Sequence, residues 1–158
     1  MKKKMKWIAL SLVVVLLAVM VYMAFLVRHA ESEAQVLTDI KHALEATSEV
    51  ESVRDIHRFN GLEAYVVALV ELADRQTAYF FIRDGVVVHY AAEDELLNAA
   101  LAIELALYEV DGEVHHAQMG ILEETPIFEV QIRVDDALHF VVLDATTAEV
   151  KMTFQLPE

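Results

Sequence analysis

The pattern of hydrophobic and polar residues starts with a short basic tail, which is followed by a long apolar run. The run Trp7 to Val27 has 21 residues without a charge, and four lysines stand ahead of it: Lys2, Lys3, Lys4 and Lys6. As a helix the run measures about 32 Å, which matches a hydrocarbon core of about 30 Å. We therefore predict a cytoplasmic tail over residues 1–6 and a transmembrane helix over residues 7–27.

Charge is distributed very unevenly on the two sides of this run. No Asp or Glu occurs before Glu31, whereas residues 28–158 hold all 26 acids and only eight Lys or Arg, a net charge of −18. The positive-inside rule places the lysines in the cytoplasm and the acidic remainder outside it, as a single-pass protein of the cell membrane. Such an acidic domain has no basic footprint for nucleic acid.

A cleaved signal peptide is the alternative explanation of the apolar run. The run is longer than the 7–15 residues, roughly, of a signal-peptide core, and no good small-x-small cleavage site follows it. Cleavage after Ala30 or Ala24 would put Arg28 or Tyr22 at the −3 position. The chain has no cysteine, which disfavours lipid modification and means that an exported domain depends on its core rather than on disulfides. An anchor is favoured.

A helical period follows the run. Apolar residues recur every three or four positions from Ala30 to Leu44, and no glycine or proline interrupts the segment. The membrane helix is therefore predicted to continue as a stalk, ending near Thr47-Ser48.

Strand-like segments come next. Apolar positions three residues apart between Val50 and Phe59 indicate an irregular or bulged strand. Asn60-Gly61 predicts a hairpin turn, because both positions tolerate positive φ. Further strands are predicted at Ala64–Leu72, Thr77–Arg83 and Val86–Tyr90, with turns at Asp74-Arg75 and Asp84-Gly85.

The same order then recurs in the second half. Glu93, Asp94 and Glu95 are typical of a helix start, and a largely apolar segment from Leu96 to Leu107 predicts a well-buried helix. After Asp111-Gly112, four strands are predicted: Glu113–Leu122, Ile127–Val134, Leu138–Leu143 and Glu149–Phe154. The predicted fold class is α+β, with one N-terminal transmembrane helix followed by two tandem units of helix plus antiparallel sheet, over residues 28–92 (stalk and first unit) and 93–158.

Metal and calcium patterns are missing from the sequence. The pair His115-His116 is the most suggestive, but neighbours on a strand point to opposite faces, and no zinc spacing is present. His57, His89 and His139 each stand alone on a predicted strand. The acidic clusters lack the calcium-loop pattern and coincide with a helix start and with turns. We predict no metal site and no cofactor.

Patterns for covalent catalysis are missing as well. The serines are Ser11, Ser32, Ser48 and Ser52, none in a glycine-rich turn, and no G-x-S-x-G, S-x-x-K or phosphate loop occurs. A pair of catalytic carboxylates acting on wall glycan stays open, since nothing singles out two of the 26 acids. We predict that the protein is not an enzyme.

Several segments together resemble a known family over nearly the whole chain. They are the lysine-led anchor, V-x-x-V-x-x-I-x-x-F-N-G at Val50–Gly61, TAYFFIRDGVV, EDELLNAA, PIFEVQI at Pro126–Ile132, and LD-x-x-T-x-E-V at Leu143–Val150. This set resembles the TseB-like (YpmB-like) cell-wall elongation regulators of Gram-positive bacteria, whose outer part consists of two PepSY- or cystatin-like units.

The resemblance implies a non-enzymatic partner of a penicillin-binding transpeptidase, with no catalytic residues to carry over. It leaves the partner-binding residues and the oligomeric state unknown. The alternative function is that of other PepSY-like proteins, a protease-inhibitory or sensor-modulating domain.

Overall fold

A computed structural model describes residues 33–157 of the chain. Contacts divide the chain into two units, Met1–Asp39 and Ile40–Glu158. The described part of the first unit, residues 33–39, is helical, and within it the side chain of Gln35 donates a hydrogen bond of 2.8 Å to Asp39. Residues 33–45 together form helix α1, which agrees with the helical period of the sequence.

The second unit is built mainly of strands. Four of them follow α1, and their bounds are β1 Val50–Asn60, β2 Ala64–Leu72, β3 Thr77–Arg83 and β4 Val86–Ala92. A short 3₁₀ helix, Glu93–Glu95, and helix α2, Ala99–Glu109, separate these from four more. Those are β5 Glu113–Leu122, β6 Thr125–Val134, β7 Ala137–Asp144 and β8 Val150–Pro157.

The strands form two antiparallel sheets with the same simple order. The first sheet has the order β1-β2-β3-β4 and the second β5-β6-β7-β8. Short turns connect the neighbours, and at Asp84-Gly85 both residues have positive φ, 52° and 78°, as a two-residue hairpin requires. The predictions of strands β2, β3 and β5 are confirmed at the predicted bounds.

The predicted bulge in the first strand is also confirmed. The pairing of β1 with β2 shifts register between Val50 and Ser52 and again between Val53 and Asp55. Each shift adds one residue, which explains the three-residue spacing from Val50 to Ile56. No shift lies between Ile56 and Phe59, so these two side chains point to opposite faces of the sheet.

The predicted fold class is wrong. The prediction was one N-terminal transmembrane helix followed by two tandem units of helix plus sheet, whereas the described residues form two four-stranded antiparallel sheets with few helices. β-Branched and aromatic residues recur along most of the eight strands, whereas α2 has only 11 residues. Within residues 33–157, no helix is both long and apolar enough to cross a membrane. The segment Trp7 to Val27 lies outside the described residues.

The predicted start of the second helix is wrong as well. The acids Glu93–Glu95 form a separate 3₁₀ helix, and α2 begins at Ala99, with three residues between the two helices. Asn98 is the N-cap, because its side-chain oxygen accepts a 2.9 Å hydrogen bond from the N–H of Leu101. The chain before the cap is held elsewhere, since the N–H of Leu97 donates to the carbonyl of Ala145 over 2.6 Å.

Helix α2 is also less buried than its composition predicts. Only Ala102 and Ala106 are buried, while Leu101 is 42% exposed and Tyr108 is 79% exposed. The two alanines belong to one core cluster with residues of both sheets. From the first sheet it includes Phe59, Val67 and Phe81, and from the second Met119, Phe128, Val130, Ile132, Val141 and Leu143.

Candidate functional site

The last two strands of the second sheet carry a row of apolar side chains that solvent reaches except at Val142, which is only 3% exposed. Three cross-strand pairs form this row, here called the β7–β8 strip: Leu138 with Leu156, Phe140 with Phe154, and Val142 with Met152. The rings of Phe140 and Phe154 are stacked with centroids 4.7 Å apart. Met152, Phe154 and Leu156 are 43%, 40% and 52% exposed. Because β8 is an edge strand, the strip ends at an open edge of the sheet.

The side chains that alternate with the strip point to the other face of the sheet. On that face Val141 and Leu143 of β7 are completely buried, and so are Val130 and Ile132 of β6. The second sheet therefore has a core face and an open face, and the β7–β8 strip lies on the open face.

A polar network lies beside the strip on the same open face. Glu129 of β6 accepts hydrogen bonds through one carboxylate oxygen from the side-chain amides of Gln118 (3.1 Å) and Gln131 (3.0 Å). Gln131 is the cross-strand partner of Phe140, so this network borders the stacked rings directly. An apolar centre with fixed polar groups at its side is the composition that protein interfaces favour.

A second candidate surface is concave and lies between the two sheets. It is a groove of about 520 Å³, here called the inter-sheet groove. Its apolar walls come from Leu62, Val88, Ile121 and Leu122. Its polar lining consists of Glu63, Tyr65, Arg83, His89, Glu123 and Glu124.

One wall of the groove holds a connected charged group. The hydroxyl of Tyr65 donates a 2.7 Å hydrogen bond to Glu63, Arg83 forms an ion pair with the same carboxylate, and its guanidinium lies 5.8 Å from the centre of the Tyr65 ring. The hydrogen bonds from Tyr65 and Arg83 lower the pKa of Glu63. The same bond to Glu63, with burial, raises the pKa of Tyr65, and Glu63 raises the pKa of Arg83. The group keeps its charges fixed across the neutral range.

The opposite lip of the groove is the turn between β5 and β6. Its two residues, Glu123 and Glu124, have positive φ of 49° and 65°. Two-residue turns of this kind favour Asn, Asp and Gly, so glutamates there have an unfavourable backbone conformation. Within residues 33–157, neither carboxylate has a hydrogen bond or an ion pair. Two exposed negative charges therefore stand unneutralised at the lip.

The motif at Leu143–Val150 forms the connection from β7 to β8. One oxygen of Asp144 accepts hydrogen bonds from the backbone N–H groups of Thr146 (2.8 Å) and Thr147 (3.0 Å), and the other lies 3.0 Å from the amine of Lys151. Burial by itself raises the pKa of Asp144, but the bonds from Thr147, Lys151 and Thr146 together lower it. The motif therefore has a structural task, which is to hold β8, and with it the strip, against β7.

Of the histidines singled out from the sequence, His89 lines the inter-sheet groove, and the others lie elsewhere in the described residues. The four residues assigned to membrane orientation lie outside the described residues: Lys2, Lys3, Lys4 and Lys6. His115 and His116 are exposed on β5, where the register shift between Val114 and His116 leaves His115 as the extra, bulged residue. His57 contacts the carbonyl of Met119 through Nε2 over 2.9 Å.

The remaining histidines also have ordinary neighbours. His89 packs against the ring of Phe81 with centroids 5.7 Å apart, and His139 pairs across the sheet with Ile132. Among the described residues, no three His, Cys, Asp or Glu side chains lie close enough to hold a metal ion.

The sequence did contain a signal for the β7–β8 strip that the strand predictions passed over. Along β8, apolar Met152, Phe154 and Leu156 alternate with polar residues, the pattern of a strand with one apolar face. The alternation predicts which face is apolar. It does not reveal that this face is open, because that depends on which elements pack against each face of the sheet.

Comparison with known proteins shows a likeness of fold. No family model matches the sequence. No curated protein matches it either. The YpmB protein from Bacillus subtilis superimposes with a TM-score of 0.61 at 14% sequence identity, covering 71% of this chain and 90% of that chain.

A protein described as a "putative lipoprotein" from Clostridium difficile 630 aligns with a TM-score of 0.43 at 14% identity, covering 78% of this chain and 92% of that chain. An alignment at that score does not establish a common fold. The score for the Bacillus subtilis protein does, and the chain shares the fold of YpmB.

Proposed function

We propose that this chain is a non-enzymatic, membrane-attached binding protein that works outside the cytoplasm and regulates cell-wall elongation by contacting a penicillin-binding transpeptidase or another wall-synthesis protein. The observation that carries the proposal is the β7–β8 strip. Stacked Phe140 and Phe154 form an apolar surface at an open sheet edge. Exposed aromatic surface of this kind, next to fixed polar groups, suits a protein contact.

Two observations support this kind of partner. The fold is shared with YpmB, and the sequence motifs resemble those of the TseB-like regulators. One of these motifs, Leu143–Val150, has a structural role in this chain, because Asp144 organises the turn that positions β8. On this proposal the strip is the surface that meets the wall-synthesis protein.

The place of action follows from the N-terminal sequence. Residues 7–27 are apolar and follow four lysines, which suits attachment to the membrane with the lysines on the cytoplasmic side. The acidic remainder then lies outside the cytoplasm, beside the enzymes that build the wall. Its charge of −18 disfavours binding to anionic lipid headgroups, so contact with a protein is favoured over contact with the membrane surface.

Deletion of the gene with complementation tests the proposal. We expect the deletion to slow lateral wall growth and the full chain to restore it. A chain with Phe154→Ser should reach the membrane in the same amount and fail to restore growth, while Gln155→Ala, on the other face of the same strand, should restore it. Unchanged wall growth on deletion contradicts the proposal.

A further inference from the structure

Strand β4 differs from the other edge strands of the described residues. The outer strands of the two sheets are β1, β4, β5 and β8. Edge strands are normally protected from pairing with other chains by charges or proline. Three of the four have such protection: β1 carries Glu51, Arg54, Asp55 and Arg58, β5 carries Glu113, and β8 carries Lys151 and Pro157. Strand β4, with the sequence VVVHYAA, has neither a charged residue nor a proline.

The side chains of β4 are exposed as well. Val86, Val87 and Val88 are 63%, 42% and 45% exposed, and Tyr90 is 71% exposed. Within residues 33–157, β4 pairs on one side only, with β3. Its other side therefore offers alternate backbone N–H and C=O groups to a further strand.

The inter-sheet groove lies directly beside this edge. The pairing of β4 with β3 shifts register between Phe81 and Ile82, which leaves Val88 as the extra residue of a bulge. Val88 lines the groove together with Ile121 and Leu122 of the second sheet. A chain added along β4 would thus lie next to a groove of about 520 Å³, in which Leu62, Val88, Ile121 and Leu122 form an apolar wall for a side chain.

The charges around the β4 edge favour one kind of added chain. The groove lip carries the unneutralised carboxylates of Glu123 and Glu124, while Arg83 is paired with Glu63. Asp84 precedes β4 and Glu93–Glu95 follow it, so both ends of the strand are acidic. An extended chain with basic residues complements this edge, and an acidic chain is repelled.

We propose that β4 and the inter-sheet groove bind an extended basic peptide segment of a partner protein, which adds as a fifth strand to the first sheet and places an apolar side chain in the groove. Addition of a strand uses backbone hydrogen bonds for affinity and the alternate side chains for specificity. The site is separate from the β7–β8 strip and does not depend on the identity of the proposed wall-synthesis partner.

Fluorescence anisotropy with a defined peptide tests the proposal. The full chain in a neutral detergent is titrated with a labelled octapeptide of alternating lysine and valine. We expect saturable binding that weakens with added salt, and no binding of the same peptide with glutamate in place of lysine. Absence of binding by the lysine peptide overturns the proposal.

Two matched variants locate the site. Glu123→Lys with Glu124→Lys reverses the groove lip and should weaken binding at least tenfold. Asp135→Lys with Asp136→Lys makes the same charge change in the turn between β6 and β7 and should alter binding less than twofold. Equal loss in both means general charge attraction and overturns the assignment to the groove. Val88→Lys is a further variant, and circular dichroism shows that each protein is folded.

Methylation of the peptide backbone tests the strand itself. Two peptides carry N-methyl groups at alternate residues, one set on each edge of the extended chain. Addition to β4 needs the N–H groups of one edge only, so one peptide should keep its affinity and the other should lose it. Equal affinity of the two peptides overturns strand addition.

Discussion

The ring of Phe59 in the first sheet lies directly on Gly120 of the second. A Cβ atom at Gly120 would stand 2.5 Å from Cε2 of that ring, a distance that no real side chain keeps. Phe59 is only 2% exposed, so the ring has little room to withdraw. The adjacent hydrogen bond from His57 to the carbonyl of Met119 joins β1 to β5 at the same place. Close packing at this point holds the two sheets together.

The first prediction concerns this contact. Gly120→Ala should destabilise the protein by about 1–3 kcal/mol, because the added methyl group forces the Phe59 ring and the two sheets apart. Thermal or urea unfolding of the full chain in detergent measures the change.

A double variant checks the cause of that loss. Phe59→Leu removes part of the ring, so adding it to Gly120→Ala should cost less than the two separate changes together. Strict additivity would mean that Gly120 is sensitive for a reason other than its contact with Phe59.

The second prediction concerns the turn that carries the motif. Asp144→Ala should lower stability by about 1–2 kcal/mol at pH 7, since it removes the acceptor of Thr146, Thr147 and Lys151. The folded protein lowers the pKa of Asp144 from its ordinary value of 3.8. The stabilisation by the charged form is therefore present above pH 3.8 and is lost as the pH falls below it. Unfolding curves of both proteins should converge on acidification.

Lys151→Met separates the two parts of this effect. It leaves the bonds to the backbone of Thr146 and Thr147 in place and removes only a half-exposed cation, so its cost should be clearly smaller. A loss as large as that of Asp144→Ala would show that the ion pair, rather than the turn, stabilises the connection.

The third prediction concerns the groove wall. Because the hydrogen bond to Glu63 raises the pKa of Tyr65, Glu63→Gln should bring the pKa of Tyr65 down toward its ordinary value of 10.0. A pH titration of ring-labelled tyrosine by NMR follows this shift. Tyr79 is the internal control, since burial raises its pKa and Glu63 takes no part in that shift.

The fourth prediction separates binding from folding in the strip. Phe154 is 40% exposed, so Phe154→Ser should cost only the stacking and partial burial against Phe140, about 1–2 kcal/mol. Phe81→Ser, at a completely buried position, should cost far more. Comparable melting temperatures for the two variants would mean that the strip is part of the core.

The local sequence pattern predicted the individual strands well and the fold that they form poorly. Alternation and turn residues located β2, β3 and β5, and the spacing of apolar residues in β1 revealed its bulges. The start of α2 was missed because three acids resemble a helix start, whereas Asn98 is the residue that caps the helix. The fold class was wrong because it gave the helices a weight that the described residues do not support.

The candidate sites depend on contacts that no local pattern encodes. Leu122 and Val88 are far apart in sequence and line the same groove only because the two sheets pack together. Whether the face around Phe154 is open depends on which face of the second sheet packs into the core cluster, and that is a property of the assembled fold. Charge, by contrast, could be judged from the sequence, and the acidic character of the domain reappears at the groove lip.

Position-resolved crosslinking in cells tests the proposed function most directly. A photoreactive amino acid is placed singly at Met152, Phe154 and Leu156 on the strip, and at Thr153 and Gln155 on the other face of β8. We predict crosslinks to a penicillin-binding transpeptidase or another wall-synthesis protein from the three strip positions and not from the two controls. No wall-synthesis protein at any strip position, or equal crosslinking from both faces, would contradict it.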